Sequence, residues 1–330
     1  MAEPIQTRNI YEQQSHNKRT TVLVMMGFVL FLGLLGFGFD NYMFGGFDSG
    51  AFIPLGTIAA IVVGVGSAAW SLDSGAKAVL SSANAFPADE NNPEHKQLLN
   101  IVDEMTIASG LPRPKVFLIP DEDPNAFATG KDPNNSYVAV TEGLLRSLNR
   151  EELQGVIAHE MSHIRNYDIR LMTVVAALVG SILLLSDWAR RSMWYGGGRQ
   201  RSRSRSSGQL GGIIFILWIV GILLAPVVSQ LMAMLVSRKR EYLADASAAE
   251  LTRNPLGLAN ALKKLEDASA PTASIKRGAA HLCIVDPLGK AVNLKEGGVA
   301  ELLGTHPPIQ KRITALQSMA YQITNAMPAV

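Results

Sequence analysis

Two histidines four residues apart, with a glutamate directly after the first, stand at His159-Glu160-Met161-Ser162-His163. Residues four apart share one face of a helix, so both imidazoles can hold one metal ion. Glu160 beside them is placed to act on a water at that metal. This is the smallest apparatus that hydrolyses a peptide bond with a metal. Catalytic zinc ordinarily keeps three protein ligands and one open position, so the pair needs a partner. Cys283 is the single cysteine, which excludes an intrachain disulfide and a cysteine-built zinc site and leaves histidines and carboxylates as ligands. The candidates for the third position are Glu241, Asp245, His281 and His306.

The elements that must position these groups can be read locally. Asn149 caps a helix and Glu152 reaches back to it, a capping box. Leu153, Val156, Ile157 and Ile164 recur at helical spacing, and no Gly or Pro falls between Val156 and Val179. The spacing therefore predicts a zinc-site helix running straight on into the apolar segment 171–185. A second apolar segment, 212–236, is followed at once by Arg238-Lys239-Arg240-Glu241-Tyr242-Leu243-Ala244-Asp245. If the two segments form an antiparallel hairpin, His163 and Glu241 reach the same end of it. Asp245, one turn beyond Glu241, then faces the same way and can orient a ligating imidazole. Read alone, Glu241 is equally a solvated charge among its basic neighbours.

Composition sets the class. Of 330 residues 48% are hydrophobic and 18% charged, and the net charge is +2. This describes a membrane protein with a soluble part and argues against nucleic acid as a partner. The uncharged stretches 21–39 and 52–70 are each long enough to cross a hydrocarbon core of about 30 Å. A loop between them with Asp40, Asp48 and no Lys or Arg puts the N-terminal segment in the cytoplasm. None of the four apolar segments holds a charged residue or a histidine, which counts against a transporter. A zinc-binding scaffold remains the competing class, but it would have no use for Glu160. The loop 186–211 carries Arg190, Arg191, Arg199, Arg201, Arg203 and Arg205, which the positive-inside rule disfavours outside the cytoplasm.

The soluble part reads as a helix over 93–109 stopped at Gly110, then strands near 115–120, 124–130 and 137–141, with the 124–130 stretch an edge strand. Helices follow near 255–268 and after Pro307 and Pro308. The expected fold is mainly α with a small antiparallel β-sheet. Its plan is 1–20 cytoplasmic, 21–70 two membrane helices, 71–170 linker and first part of the catalytic domain, 171–236 a membrane hairpin, and 237–330 the second part.

With the runs Asn-Ala-Phe-Ala-Thr-Gly at 125–130, Glu-Tyr-Leu-Ala-Asp at 241–245 and Thr-His-Pro-Pro at 305–308, the chain closely resembles the HtpX-type membrane zinc metallopeptidases, distant relatives of the prenyl-protein endopeptidases. The resemblance covers nearly the whole chain. It implies four transmembrane helices, a cytoplasmic gluzincin-like domain and one Zn2+ held by His159, His163 and Glu241. It further implies Glu160 as base, His306 as helper to the tetrahedral intermediate, and membrane-protein quality control in the inner (plasma) membrane. Protein substrates, unfolded or membrane-bound, and the lipid bilayer are the expected partners. An unpaired edge along Asn125, Ala126, Phe127 and Ala128 would take an extended substrate by main-chain hydrogen bonds, with little side-chain specificity.

Overall fold

A computed structural model describes residues 10–44, 54–196, 238–268, 272–275, 277–285, 287 and 307–326. The segment 212–236, the Arg-Ser-rich stretch 199–206 and His306 lie outside the described residues.

The polar start of the chain and its first apolar run form one helix, α1 (Ile10–Phe44), which packs against α2 (Leu55–Ser82). Asp40 closes the hairpin by capping α2. Its Oδ1 accepts from the Gly56 amide and its Oδ2 from the Thr57 amide and hydroxyl, all at 2.7 Å. The stretches Tyr11–Asn41 and Leu55–Ser82 are long and apolar enough to cross a membrane by length and composition. They leave Leu23, Leu30, Leu34, Val62 and Val65 exposed.

A small domain follows. Helix α3 (Pro93–Ser109) is capped by the Asn92 side chain and ends at Gly110, whose φ of +67° lies in the left-handed region. The sheet contains β1 (Phe86–Pro87), β2 (Lys115–Ile119), β3 (Ala126–Asp132) and β4 (Asn135–Thr141), in the order β1-β2-β4-β3. It is mixed rather than antiparallel as expected, because β2 and β4 run parallel from Lys115↔Tyr137 to Ile119↔Thr141. The β3-β4 hairpin folds back so that β4 fills the place beside β2, leaving β3 outermost. After the short α4 (Glu142–Ser147) comes α5 (Arg150–Arg165), with the capping box of Asn149 and Glu152 as expected.

Helix α5 does not run on into the apolar segment. The chain breaks at Asn166 and Tyr167, the latter with φ +59°, and restarts as α6 (Asp168–Gly196). Neither residue is a glycine or proline, and contacts from α1, described below, hold the break. Helices α7 (Arg238–Thr252), α8 (Pro255–Asp267) and α9 (Ile309–Ala326) complete the domain around α5. At Gly155 the α5 backbone comes so close to α8 that a Cβ would sit 2.7 Å from the Leu258 amide nitrogen. Leu98, Ile101, Leu118, Val140, Val156, Ile157, Met161 and Leu262 fill the core beneath.

Candidate metal centre

Burial of one face of α5 against the sheet puts His159, Glu160 and His163 inside the domain, each 3% exposed or less. The two histidine Nε2 atoms face each other at 3.2 Å. Glu241, from the first turn of α7, completes the cluster. Its Oε2 lies 3.8 Å from His159 Nε2 and its Oε1 3.7 Å from His163 Nε2. Of the candidates among the described residues, Glu241 is the one whose carboxylate lies near both Nε2 atoms. His281 is turned elsewhere, its Nε2 3.0 Å from the Met172 carbonyl.

Each imidazole is oriented from behind. Asp245 Oδ1 lies 2.9 Å from His159 Nδ1, the placement read from the sequence, and Asp168 Oδ2 lies 3.0 Å from His163 Nδ1. Asp245 is held in turn by Arg312, whose Nε and Nη2 donate to its two oxygens at 2.8 and 2.7 Å. Arg312 is 1% exposed, gives a further bond to the Ile284 carbonyl and lies 3.5 Å from Glu241 Oε2. Sequence reasoning missed both supports. Asp168 follows His163 by five residues, which would miss it on a continuous helix and reaches it only because the helix breaks. Arg312 is the single arginine of an amphipathic helix, next to Lys311, with nothing in its spacing to mark it as buried.

The donor set suits a small divalent cation. Bonds of about 2.0–2.1 Å at tetrahedral angles put donors about 3.3 Å apart, close to the 3.2, 3.7 and 3.8 Å found. Two imidazoles whose Nδ1 atoms face carboxylates turn both Nε2 lone pairs toward one point. These three side chains form a potential metal-binding group, with donor atoms within 4.8 Å of one another.

The electrostatics follow from burial. Loss of water, with the Glu241 charge adding to it and His163 and Arg312 opposing, pushes Glu160 up to about 7. Burial holds His159 below the ordinary imidazole value despite Asp245. At His163 burial also opposes the charge, but the Asp168 hydrogen bond together with the Glu241, Asp168 and Glu160 charges raises the ring to about 9. Burial disfavours the Asp245 carboxylate, yet Arg312 and His159 outweigh it and hold the group below the usual value.

A stability prediction follows for protein stripped of metal. A pKa raised on folding contributes stability that is complete below the unfolded value and lost as pH rises through the folded one. The Glu160 contribution is lost by about pH 7, and that of His163 between about 6.5 and 9. From pH 7 to 9 the chelator-treated protein should therefore lose stability, by at most about 1.4 kcal/mol per pH unit for one proton. Unfolding midpoints in detergent at pH 7, 8 and 9 read this directly. The slope should flatten in His163→Ala, and an equal slope in that variant would contradict the assignment.

The expected substrate edge is not open. Cys283 bridges Phe127 in antiparallel fashion, and the Ile284 amide donates to the Ala126 carbonyl at 2.9 Å. The Ala126 amide bonds the Asn125 side chain, and Asn125 Nδ2 donates to the Val285 carbonyl. The Gly130 amide is taken by Thr173 Oγ1. The Ala128 amide faces Glu160 and favours its ionised form.

Comparison with known proteins adds to this geometry. The model of peptidase family M48 matches residues 92–320, more than half of the chain. The chain belongs to this family. It is 43% identical over 311 residues to a protease HtpX homolog of Ligilactobacillus salivarius, covering 94% of this chain and 100% of the relative. It is likewise 43% identical over 313 residues to a protease HtpX homolog of Caldanaerobacter subterraneus subsp. tengcongensis, covering 94% and 98%. The chain is also similar to the crystal structure of S. mikatae Ste24p, with a TM-score of 0.48 and 21% identity over 93% of this chain; it spans 66% of that longer chain. The M48 protein described here is thus an HtpX-type membrane metallopeptidase, and the family implies a metal.

Proposed function

We propose that this M48 protein is a zinc endopeptidase of the EC 3.4.24 class in which His159, His163 and Glu241 hold the ion and Glu160 is the general base. The observation that carries the reading is the convergence of three buried donors from α5 and α7, each histidine backed by a carboxylate. Zinc, when bound, supplies an electrophile for the scissile carbonyl and lowers the pKa of water from 15.7 toward about 7. Glu160 takes the proton of the attacking water and delivers it to the leaving amine. Asp245 and Asp168 keep the two rings turned. By the family resemblance, His306 donates to the oxygen that gains charge. A zinc-binding scaffold would not need a carboxylate buried beside the ligands with no role in holding them.

The substrates we propose are unfolded or damaged proteins, membrane proteins among them, taken as extended strands at Asn125, Ala126, Phe127 and Ala128. For this the substrate main chain must replace the bridge that Cys283 and Ile284 make to β3. The groups of Ala126 are already engaged, so the weight falls on Ala128, whose amide faces the catalytic carboxylate. Ala128→Pro removes that N–H without breaking a bond to β4, since β3 meets β4 through Asn125 and its alternate neighbours. Casein cleavage by this variant, with zinc still bound, should fall at least about tenfold, the weight of one well-aligned hydrogen bond. Cleavage within twofold of wild type would remove the strand from substrate binding.

We place the site on the cytoplasmic side of the inner membrane, with 171–236 as a membrane hairpin that divides the catalytic domain into 71–170 and 237–330. In support, the N-terminal end of α1 touches residues 165–168 beside the centre, and the positive-inside rule puts that end in the cytoplasm.

A further inference from the structure

The first turns of α1 lie over the break between α5 and α6. Gln14 Nε2 donates to the Arg165 carbonyl at 2.9 Å, and the Lys18 ammonium stands 4.1 Å over the Tyr167 ring. Asn17, 1% exposed, does something different. Its Nδ2 donates to the Asn166 carbonyl at 2.9 Å and to Asp168 Oδ1 at 2.6 Å. Both partners are pure acceptors, so the amide can face them only with its nitrogen. The other Asp168 oxygen is the one beside His163 Nδ1.

We propose that Asn17 is a positioning residue of the metal centre: by pinning one oxygen of Asp168 it keeps the other on His163, so that the first membrane helix sets how firmly the centre holds its cation. The proposal rests on His163 being a ligand. A carboxylate held by one ring nitrogen alone can turn about its last torsion. Here Arg240 Nη1 lies 3.6 Å from the same oxygen that Asn17 binds and offers a competing direction. With Asn17 in place both oxygens are committed. The Asn17 Oδ1 atom is buried without a hydrogen-bond partner among the described residues. A buried polar atom left so costs stability, and an apolar side chain would only dock the helix without that cost. Asn17 is thus better explained by what its nitrogen does for Asp168 than by packing.

The test uses the full chain in detergent and measures zinc affinity by competition with a chromophoric chelator, alongside thermal unfolding with and without zinc. Asn17→Ala should bind zinc about tenfold more weakly, in the range seen when a group supporting a ligand is lost. Asn17→Leu, which keeps bulk and removes the unpartnered oxygen, should show the same loss of zinc affinity; it also takes the donor from the Asn166 carbonyl and Asp168 Oδ1, so the zinc-free protein should unfold somewhat earlier than wild type. Gln14→Ala, which loosens the same contact without touching Asp168, should bind zinc within twofold of wild type. Combined with Asp168→Asn, Asn17→Ala should add nothing further. Wild-type affinity in both Asn17 variants, or an equal loss in Gln14→Ala, overturns the proposal. His163→Ala in the same assay separates the two layers. If it retains zinc, the ligand assignment fails; if it loses zinc while the Asn17 variants do not, only the role of Asn17 fails.

Discussion

Glu160→Gln should lower the turnover of casein by about 10²–10⁴, the usual weight of a general base, and leave one zinc per chain. The substitution keeps the shape of a side chain that is 1% exposed and removes only its capacity to take a proton. Burial beside Glu241 already disfavours the charged form of Glu160. The neutral amide should therefore fold at least as well, and a loss of activity is not a loss of protein. Turnover within tenfold of wild type in a variant of full zinc content would assign the base elsewhere.

Glu241→Ala should lose the metal itself. It removes one of three donors and, with it, the only ligand charge that opposes Arg312, whose guanidinium lies 3.5 Å from Glu241 Oε2. A cation would then meet two neutral rings with no ligand carboxylate, and Arg312 nearby would be balanced by Asp245 alone. Structural zinc sites gain on the order of 10 kcal/mol from their complete ligand set, and by the same logic the loss of one of three donors here should lower the affinity by several orders of magnitude. Asp245→Asn should fall less, about 10–100-fold, because it loosens a ring without removing a donor. Dialysis followed by elemental analysis distinguishes them. Stoichiometric zinc in Glu241→Ala would move the third ligand to another residue.

What could be read from the chain divides by the range of the interaction. The cap at Asn149, the helical face of His159 and His163 and the stop at Gly110 are set by neighbours within a turn or two, and each is found where the residue types put it. Pairing between β2 and β4 is decided by where the β3-β4 hairpin folds, which the alternation within a strand does not encode. The break at Tyr167 was hidden for a similar reason. Its left-handed backbone is held by Asn17 and Lys18, about 150 residues earlier, and no glycine announces it. Asp245 was legible because it lies one helical turn from Glu241. Arg312 was not, since a buried arginine and a surface arginine look alike until the carboxylates that hold it are placed. The edge at Ala126 looked open because the segment that bridges it arrives from residues 283–284.

Peptide hydrolysis by this M48 protein should depend on one zinc held by His159, His163 and Glu241. Zinc titration into chelator-stripped, detergent-purified protein, with bound metal and casein cleavage followed in the same samples, tests it most directly. Cleavage should be absent without metal and should rise in proportion to bound zinc until one equivalent is reached. Full cleavage by the stripped protein, or recovery of activity in His163→Ala at the same zinc concentration, would contradict it.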